Sequence, residues 1–342
     1  MAARKKTPKP VNFALQGGGA HGAFTWGVLD KFLEDGRVQI NAITGTSAGA
    51  MNAVVMADGA CRDGEDGARE ALETFWRNVS TAGNASVIKR SPLDVLFGQW
   101  SLDASPAYLA FDIMTRFASP YEFNPLDINP LRDLVGELVN FDNVRKCRSI
   151  DLFVAATNVH TGKIKVFEKD EITLDAVMAS ACLPHLYQAV EIDDTPYWDG
   201  GFMGNPPLYP LFYHTDVADT ILVQINPVAR YETPKTAREI LNRMNEITFN
   251  STLLRELRAV EFVSRLIDEG SLSQEQYSKV HIHRISSDKD LNPLSASSKF
   301  NAEWSFLQHL RDIGREAAQL WLDEHYDALG KRGTLDLKAE FS

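Results

Sequence analysis

The stretch VNFALQGGGAHG, residues 11–22, constrains the fold more than any other part of the chain. A largely apolar strand-like segment runs straight into consecutive glycines. Behind them Phe24, Val28, Leu29, Phe32 and Leu33 recur at helical spacing until Gly36 closes the helix. A second short strand, QINAIT, then leads into GTSAGAMNAVVMADG (residues 45–59), where small and apolar residues continue helically to Gly59. Strand, helix, strand, helix in this order predicts a parallel βαβ unit. A glycine turn opening onto a helix N-terminus gathers backbone N–H groups around one point, so the loop is built to receive an anion. That anion is either a phosphate or the oxyanion of an ester under attack.

The rest of the chain extends this α/β reading. EDGAREALETFWRNV reads as a further amphipathic helix, and residues 80–128 are loop-rich, with prolines breaking apolar patches. Asn129-Pro130 has the form of an N-cap followed by proline at the first helical position. DLFVAATNV and KIKVFE read as paired strands around Thr161-Gly162, LDAVMASAC as a helix and ILVQINP as a buried strand. Beyond residue 231 the texture changes to long charged amphipathic patterns interrupted by the strand-like KVHIHRI. The chain therefore divides into a basic, disordered tail (1–10), a catalytic domain (11–230) and a mainly helical C-terminal extension (231–342) packing on it. Leu254, Leu257, Val260 and Val263 give that extension an apolar face suited to internal packing.

A chain of 342 residues that is 44% hydrophobic buries a large core, and its net charge of −11 argues against a nucleic-acid partner. Cys61, Cys147 and Cys182 are widely spaced with no CxxC, which predicts reduced packing thiols and a cytoplasmic setting. There is no apolar run long enough to span a bilayer and no signal-peptide pattern, so contact with lipid would be made peripherally, from the surface. Homo-oligomer formation stays open.

GTSAG, residues 45–49, matches G-x-S-x-G between a strand and a helix. There the serine occupies a strained turn, and Gly45 and Gly49 flank it because side chains would collide with the folded backbone. Ser47 is then the nucleophile, and the Ala48 N–H, at the positive end of the following helix, is one arm of an oxyanion hole. The same placement decides between the two anions. Gly17, Gly19 and Gly22 satisfy the dinucleotide fingerprint, but the second strand ends in Ile43-Thr44-Gly45 rather than in the acid that would hold a ribose. Gly17, Gly18 and Gly19 are therefore read as N–H donors to a tetrahedral oxyanion, with Gly22 permitting close helix packing.

A serine hydroxyl needs a base. His185 and His214 are the histidines open to a triad role, though neither sits in a motif, and His21 lies inside the glycine loop as a loop-orienting, head-group-contacting or simply exposed residue. Asp199 in YWDGGFMGNPP is the stronger candidate. Gly200, Gly201, Asn205 and two prolines fix a tight turn around the carboxylate, while Tyr197, Trp198, Phe202 and Met203 pack it away from water, which raises its basicity.

The three motifs GGGAHG, GTSAG and DGG, in this order over residues 11–226, resemble the patatin-like phospholipase family. The resemblance implies a three-layer α/β/α fold with a mostly parallel central sheet, a Ser–Asp dyad without histidine, no cofactor or metal, and lipid acyl hydrolase activity. Carried over by motif, Ser47 is the nucleophile and Asp199 the proton acceptor. His21 departs from the arginine or lysine common there, so the loop itself brings no fixed positive charge, and neutral esters stay open beside phospholipids. A thioesterase or acyltransferase using the same serine, and a silent binding module, are the alternatives. The apolar segment 92–111 is a candidate entrance for the acyl chain.

Overall fold

The computed structural model describes residues 7–273, 277 and 279–341. Residues 1–6 of the basic tail lie outside them, but Lys9 and Pro10 already belong to a strand. Strand β1 (Lys9–Leu15) is followed by α1 (Gly22–Asp35), β2 (Val38–Gly45) and the long helix α2 (Ala48–Asn84). Lys9 Nζ donates to the carbonyls of Tyr326 and Leu329, both at 3.0 Å, which ties the start of the strand to the far end of the chain. Gly36 ends α1 in the left-handed region at φ 67°, a conformation a side chain resists. Gly59, expected to stop α2, does not. The break falls at Asp63 and Gly64, where backbone angles leave the helical region, and Gly59 instead lets the two halves meet, since a Cβ there would lie 2.3 Å from the Gly67 carbonyl oxygen.

Five short helices follow: α3 (Pro92–Leu96), α4 (Pro106–Phe117), α5 (Pro120–Phe123), α6 (Pro130–Leu138) and α7 (Phe141–Lys146). Each of α3–α6 begins at a proline behind a Ser or Asn cap, the cheapest way to start a helix in a proline-rich stretch. Next come β3 (Asp151–Asn158), β4 (Ile164–Glu168), α8 (Leu174–Ser180), β5 (Val190–Ile192), β6 (Thr195–Asp199), α9 (Tyr209–His214) and β7 (Asp219–Val223). The chain ends with α10 (Ala237–Asp268), β8 (His281–Ile285), α11 (Asp288–Leu291) and α12 (Trp304–His325).

One eight-stranded sheet runs β5-β6-β3-β2-β1-β7-β8, with β4 also on β3. Strands β3, β2, β1, β7 and β8 are mutually parallel, while β4 and β6 run antiparallel to β3 and β5 pairs antiparallel with β6. Helices cover both faces, giving a mixed α/β fold with a central sheet. On one face Phe13, Ile43, Val54, Phe306 and Leu310 belong to the larger core, joining α1, α2 and α12. On the other, Ala14, Ala42 and Leu222 meet Leu211 of α9 and Leu253, Leu257 and Val260 of α10. The segment after residue 231 thus contributes an edge strand, a helix to each face and part of both cores. In α10, Leu257 and Val260 are buried and Leu254 and Val263 half-buried.

Candidate active site

Two strands aimed at each other along a third create the site. Gly45, the last residue of β2, lies opposite Val154 of β3, and Asp199, the last of β6, lies opposite Ala156 on the same strand. The parallel strand stops on one side of β3 where the antiparallel one arrives on the other, so residues distant in sequence finish only about two residues, roughly 7 Å, out of step along the strand direction. Ser47 lies two residues past the end of β2 at φ 53°, ψ −121°, outside the regions open to ordinary residues. The turn is held from all sides: the Ser47 N–H donates to Ser180 Oγ at 2.9 Å, the Thr46 hydroxyl to the Gly204 carbonyl at 2.7 Å, and the Gly49 N–H to the Thr46 carbonyl at 2.8 Å. Gly49 is required by close approach, because a Cβ there would sit 2.2 Å from the Leu15 carbonyl oxygen.

Asp199 is buried and Ser47 partly open. The carboxyl Oδ1 accepts from the Gly201 N–H at 2.7 Å; Oδ2 is buried and has no hydrogen bond of full geometry. Burial pushes the Asp199 pKa up from 3.8 to about 7, against the opposing pull of the Gly201 N–H, the Ser47 hydroxyl and the charge of Lys299. A carboxylate in this state is a useful base near neutrality. Among the described residues, the groups that shift it are the Gly201 N–H, the Ser47 hydroxyl and Lys299 rather than an imidazole. His214 lies against Phe153 with the rings tilted at 41° and faces Glu168 at 3.8 Å, and His185 is exposed.

The glycine loop rests on the serine turn. A Cβ at Gly17 would fall 2.7 Å from the Ser47 Cβ, and one at Gly22 would fall 2.7 Å from the Ala48 Cβ. The N-termini of α1 and α2 therefore converge, and their positive dipole ends add at one place. The Gly17 N–H, expected among the oxyanion donors, is committed elsewhere: it donates to Asn205 Oδ1 at 2.6 Å. Among the described residues the N–H groups of Gly18, Gly19 and Ala48 make no hydrogen bond, and Ala48, first in its helix, has no acceptor within it. Gly200 and Gly201 form the turn behind Asp199, closed on one side by the Phe249 ring of α10.

Sequence reasoning missed the polar scaffold behind the loop. Gln16 Oε1 accepts from the Ile225 and Asn226 N–H groups, both at 2.9 Å, while its amide donates to the Asn205 carbonyl at 3.1 Å. Asn226 Nδ2 donates to the Gly17 carbonyl at 2.7 Å. These amides are buried and mutually satisfied, so they fix the loop without exposing unpaired groups. Asn205 stood in a quoted turn motif; Gln16 and Asn226 carry no local signal.

His21 is neither exposed nor free to meet a head group. It is buried, with Nε2 2.7 Å from Ser298 Oγ, and its pKa falls to about 3 through burial and then through the charges of Lys299 and Arg230. A cation is nevertheless present, since Lys299 reaches the loop from the C-terminal part of the chain. An open cavity of ≈ 400 Å³ between β8, α11 and α12 includes none of these groups.

The model of a family described as patatin-like phospholipase matches residues 13–212. No curated protein matches the sequence. Among solved structures, VipD from Legionella pneumophila is similar at 13% identity and a TM-score of 0.46, covering 93% of this chain and 68% of that one. The type III effector protein ExoU gives 14% identity, a TM-score of 0.37 and coverage of 93% and 53%. Full-length ExoU in complex with SpcU, from the type III secretion system of Pseudomonas aeruginosa, gives 13%, 0.32, 91% and 53%. The chain thus spans about two thirds of the first of these and about half of the others.

Proposed function

The chain belongs to the patatin-like phospholipase family, and from that premise we propose that it is a lipid acyl hydrolase working through Ser47 and Asp199. The observation that carries the reading is a buried carboxyl, raised toward neutrality, facing a serine on a strained turn. Asp199 accepts the hydroxyl proton as Ser47 Oγ bonds to the ester carbonyl carbon, and the carbonyl oxygen becomes an oxyanion among the N–H groups of Gly18, Gly19 and Ala48. Collapse of the tetrahedral adduct breaks the bond to the alkoxy oxygen, which leaves as the alcohol with the proton from Asp199. Water then gives a proton to the carboxylate and its oxygen to the acyl carbon, releasing a fatty acid and returning the proton to Ser47. The convergent helix ends favour each oxyanion because they are oriented before charge develops.

The acyl chain would enter past α3–α5, where Leu96, Phe97, Phe117 and Leu126 are exposed. No helix among the described residues is long and apolar enough to cross a membrane. The proposed setting is the cytoplasm, with access to lipid from the membrane surface. The test compares Ser47→Ala, Asp199→Ala and the double variant on a panel of lipid esters, with mass spectrometry of a fluorophosphonate adduct. We expect both single variants to lose nearly all turnover, the double to lose no more, and the adduct to sit on Ser47. Substantial turnover by either single variant sinks the dyad.

A further inference from the structure

The short turn Ala296–Phe300 grips the glycine loop with consecutive residues. Ser297 Oγ accepts from the Leu102 N–H at 2.9 Å, fastening the turn to the segment beneath α4. Ser298 Oγ meets His21 Nε2, and the Lys299 carbonyl lies so close to Gly19 that a Cβ there would come within 2.6 Å of it. The Lys299 side chain then points inward. Its Nζ donates to Asn226 Oδ1 at 2.8 Å, and Asn226 in turn holds the Gly17 carbonyl. Burial holds the Lys299 pKa below its ordinary 10.5, and of the charged groups around the ammonium Glu246 of α10 and Asp199 itself pull it back up while Arg230 lowers it further. Glu246 is already engaged by Arg230 at 2.6 Å and Arg243 at 3.0 Å, so it offers Lys299 only a shared countercharge.

We propose that Lys299 is a positioning residue of the acyl-transfer site, its ammonium bracing the glycine loop through Asn226 and setting a positive charge behind that loop. The proposal rests on the Ser47–Asp199 reading above. It makes the segment 296–300 part of the working site, supplying from a distant stretch of chain a cation that the buried, uncharged His21 does not provide. Direct contact with substrate is not required. A cation beside a buried carboxyl lowers its pKa, as the Lys299 charge does to Asp199. Removing the charge therefore raises it and moves the onset of activity to higher pH. The other groups that act on Asp199, the Gly201 N–H and the Ser47 hydroxyl, remain in place, and Cys182, whose backbone carbonyl accepts from the Asp199 N–H, stays a neutral thiol with its pKa pushed up to about 12 by burial.

The experiment uses the full chain and a soluble neutral ester, so that substrate charge plays no part. The pH dependence of kcat/KM is compared for wild type, Lys299→Gln and Lys299→Arg, alongside fluorophosphonate labelling of Ser47. Glutamine keeps a donor for Asn226 without the charge; arginine keeps the charge. We expect Lys299→Gln to lose about threefold to tenfold at pH 6 and to recover by pH 9, where Asp199 is ionised in either case. Lys299→Arg should keep the acid limb in place. A glutamine profile that superimposes on wild type, or a limb displaced equally by arginine, overturns the proposal. If the glutamine variant does not fold, the arginine profile decides alone, an upward-shifted limb being refutation. A wild-type chain neither labelled at Ser47 nor active sinks the acyl-transfer reading and this inference together; a labelled wild type with a superimposing variant sinks only the inference.

Discussion

Replacing Asp199 with asparagine should stabilise the protein, and increasingly so as pH rises. The carboxyl is buried, and its pKa is raised from 3.8 to about 7 chiefly by burial. Below 3.8 it is protonated in the folded and unfolded chains alike and costs nothing. Between the two values the unfolded chain ionises while the folded one resists, so folded stability declines, and above about 7 the loss levels off. The cost is about 2 kcal/mol at pH 5 and about 4 kcal/mol at pH 8. Asparagine has the same shape, can keep the acceptor for the Gly201 N–H, and never ionises. For a chain of this length the melting entropy is about 0.7 kcal/mol per degree, so the Tm advantage of Asp199→Asn over wild type should widen by about 3 to 4 °C from pH 5 to pH 8. Thermal unfolding by circular dichroism across that range measures it directly, with Ser47→Ala as a control that leaves the carboxyl in place. A gap that stays constant with pH would refute the claim that the carboxyl is forced toward neutrality in the fold. Activity enters nowhere, so the result stands apart from the mechanism.

Three further outcomes can be checked. A Cβ at Gly27 would lie 2.0 Å from the Arg311 carbonyl oxygen and one at Gly314 2.1 Å from that of Phe24, so Gly27→Ala and Gly314→Ala should each cost about 3 kcal/mol or more in urea unfolding; a loss below about 1 kcal/mol would mean that α1 and α12 are not in such close contact. A maleimide should modify Cys61 alone in the native protein and Cys147 and Cys182 only after denaturation, because Cys61 is exposed and the other two are buried. Exchanging Leu96, Phe97 and Phe117 together for serine should weaken sedimentation with phosphatidylcholine vesicles at least about tenfold and leave the far-UV circular dichroism spectrum unchanged, since each apolar side chain contributes about 1.5–3 kcal/mol when it leaves water; equal binding by the variant would exclude this face as the lipid contact.

Local patterns made the first half of the architecture legible. The β1–loop–α1–β2–turn–α2 order follows from hydrophobic period and glycine placement, and the candidates Ser47 and Asp199 both stand where glycines force the backbone into a turn. What the sequence hid depends on partners far away along the chain. Gly59 looks like a helix stop and is instead a contact point with Gly67. The Gly17 N–H looks free until Asn205 folds over it, and His21 looks exposed until Ser298 and Phe306 close around it. Lys299 sits in SSKF, a stretch with no motif at all, and only tertiary packing brings it beside the loop. Buried amides such as Gln16 and Asn226 are equally silent, because a polar residue in sequence reads as surface unless its partners are known.

The grip of Ser298 on His21 joins positions 277 residues apart. A centre closed by so distant a contact cannot form until synthesis has passed residue 298, since the loop's backing leaves the ribosome only then. Its closure pays the entropy of a very long loop, so competence should arrive with the last docking step of folding and disappear early in unfolding, before the central strands give way.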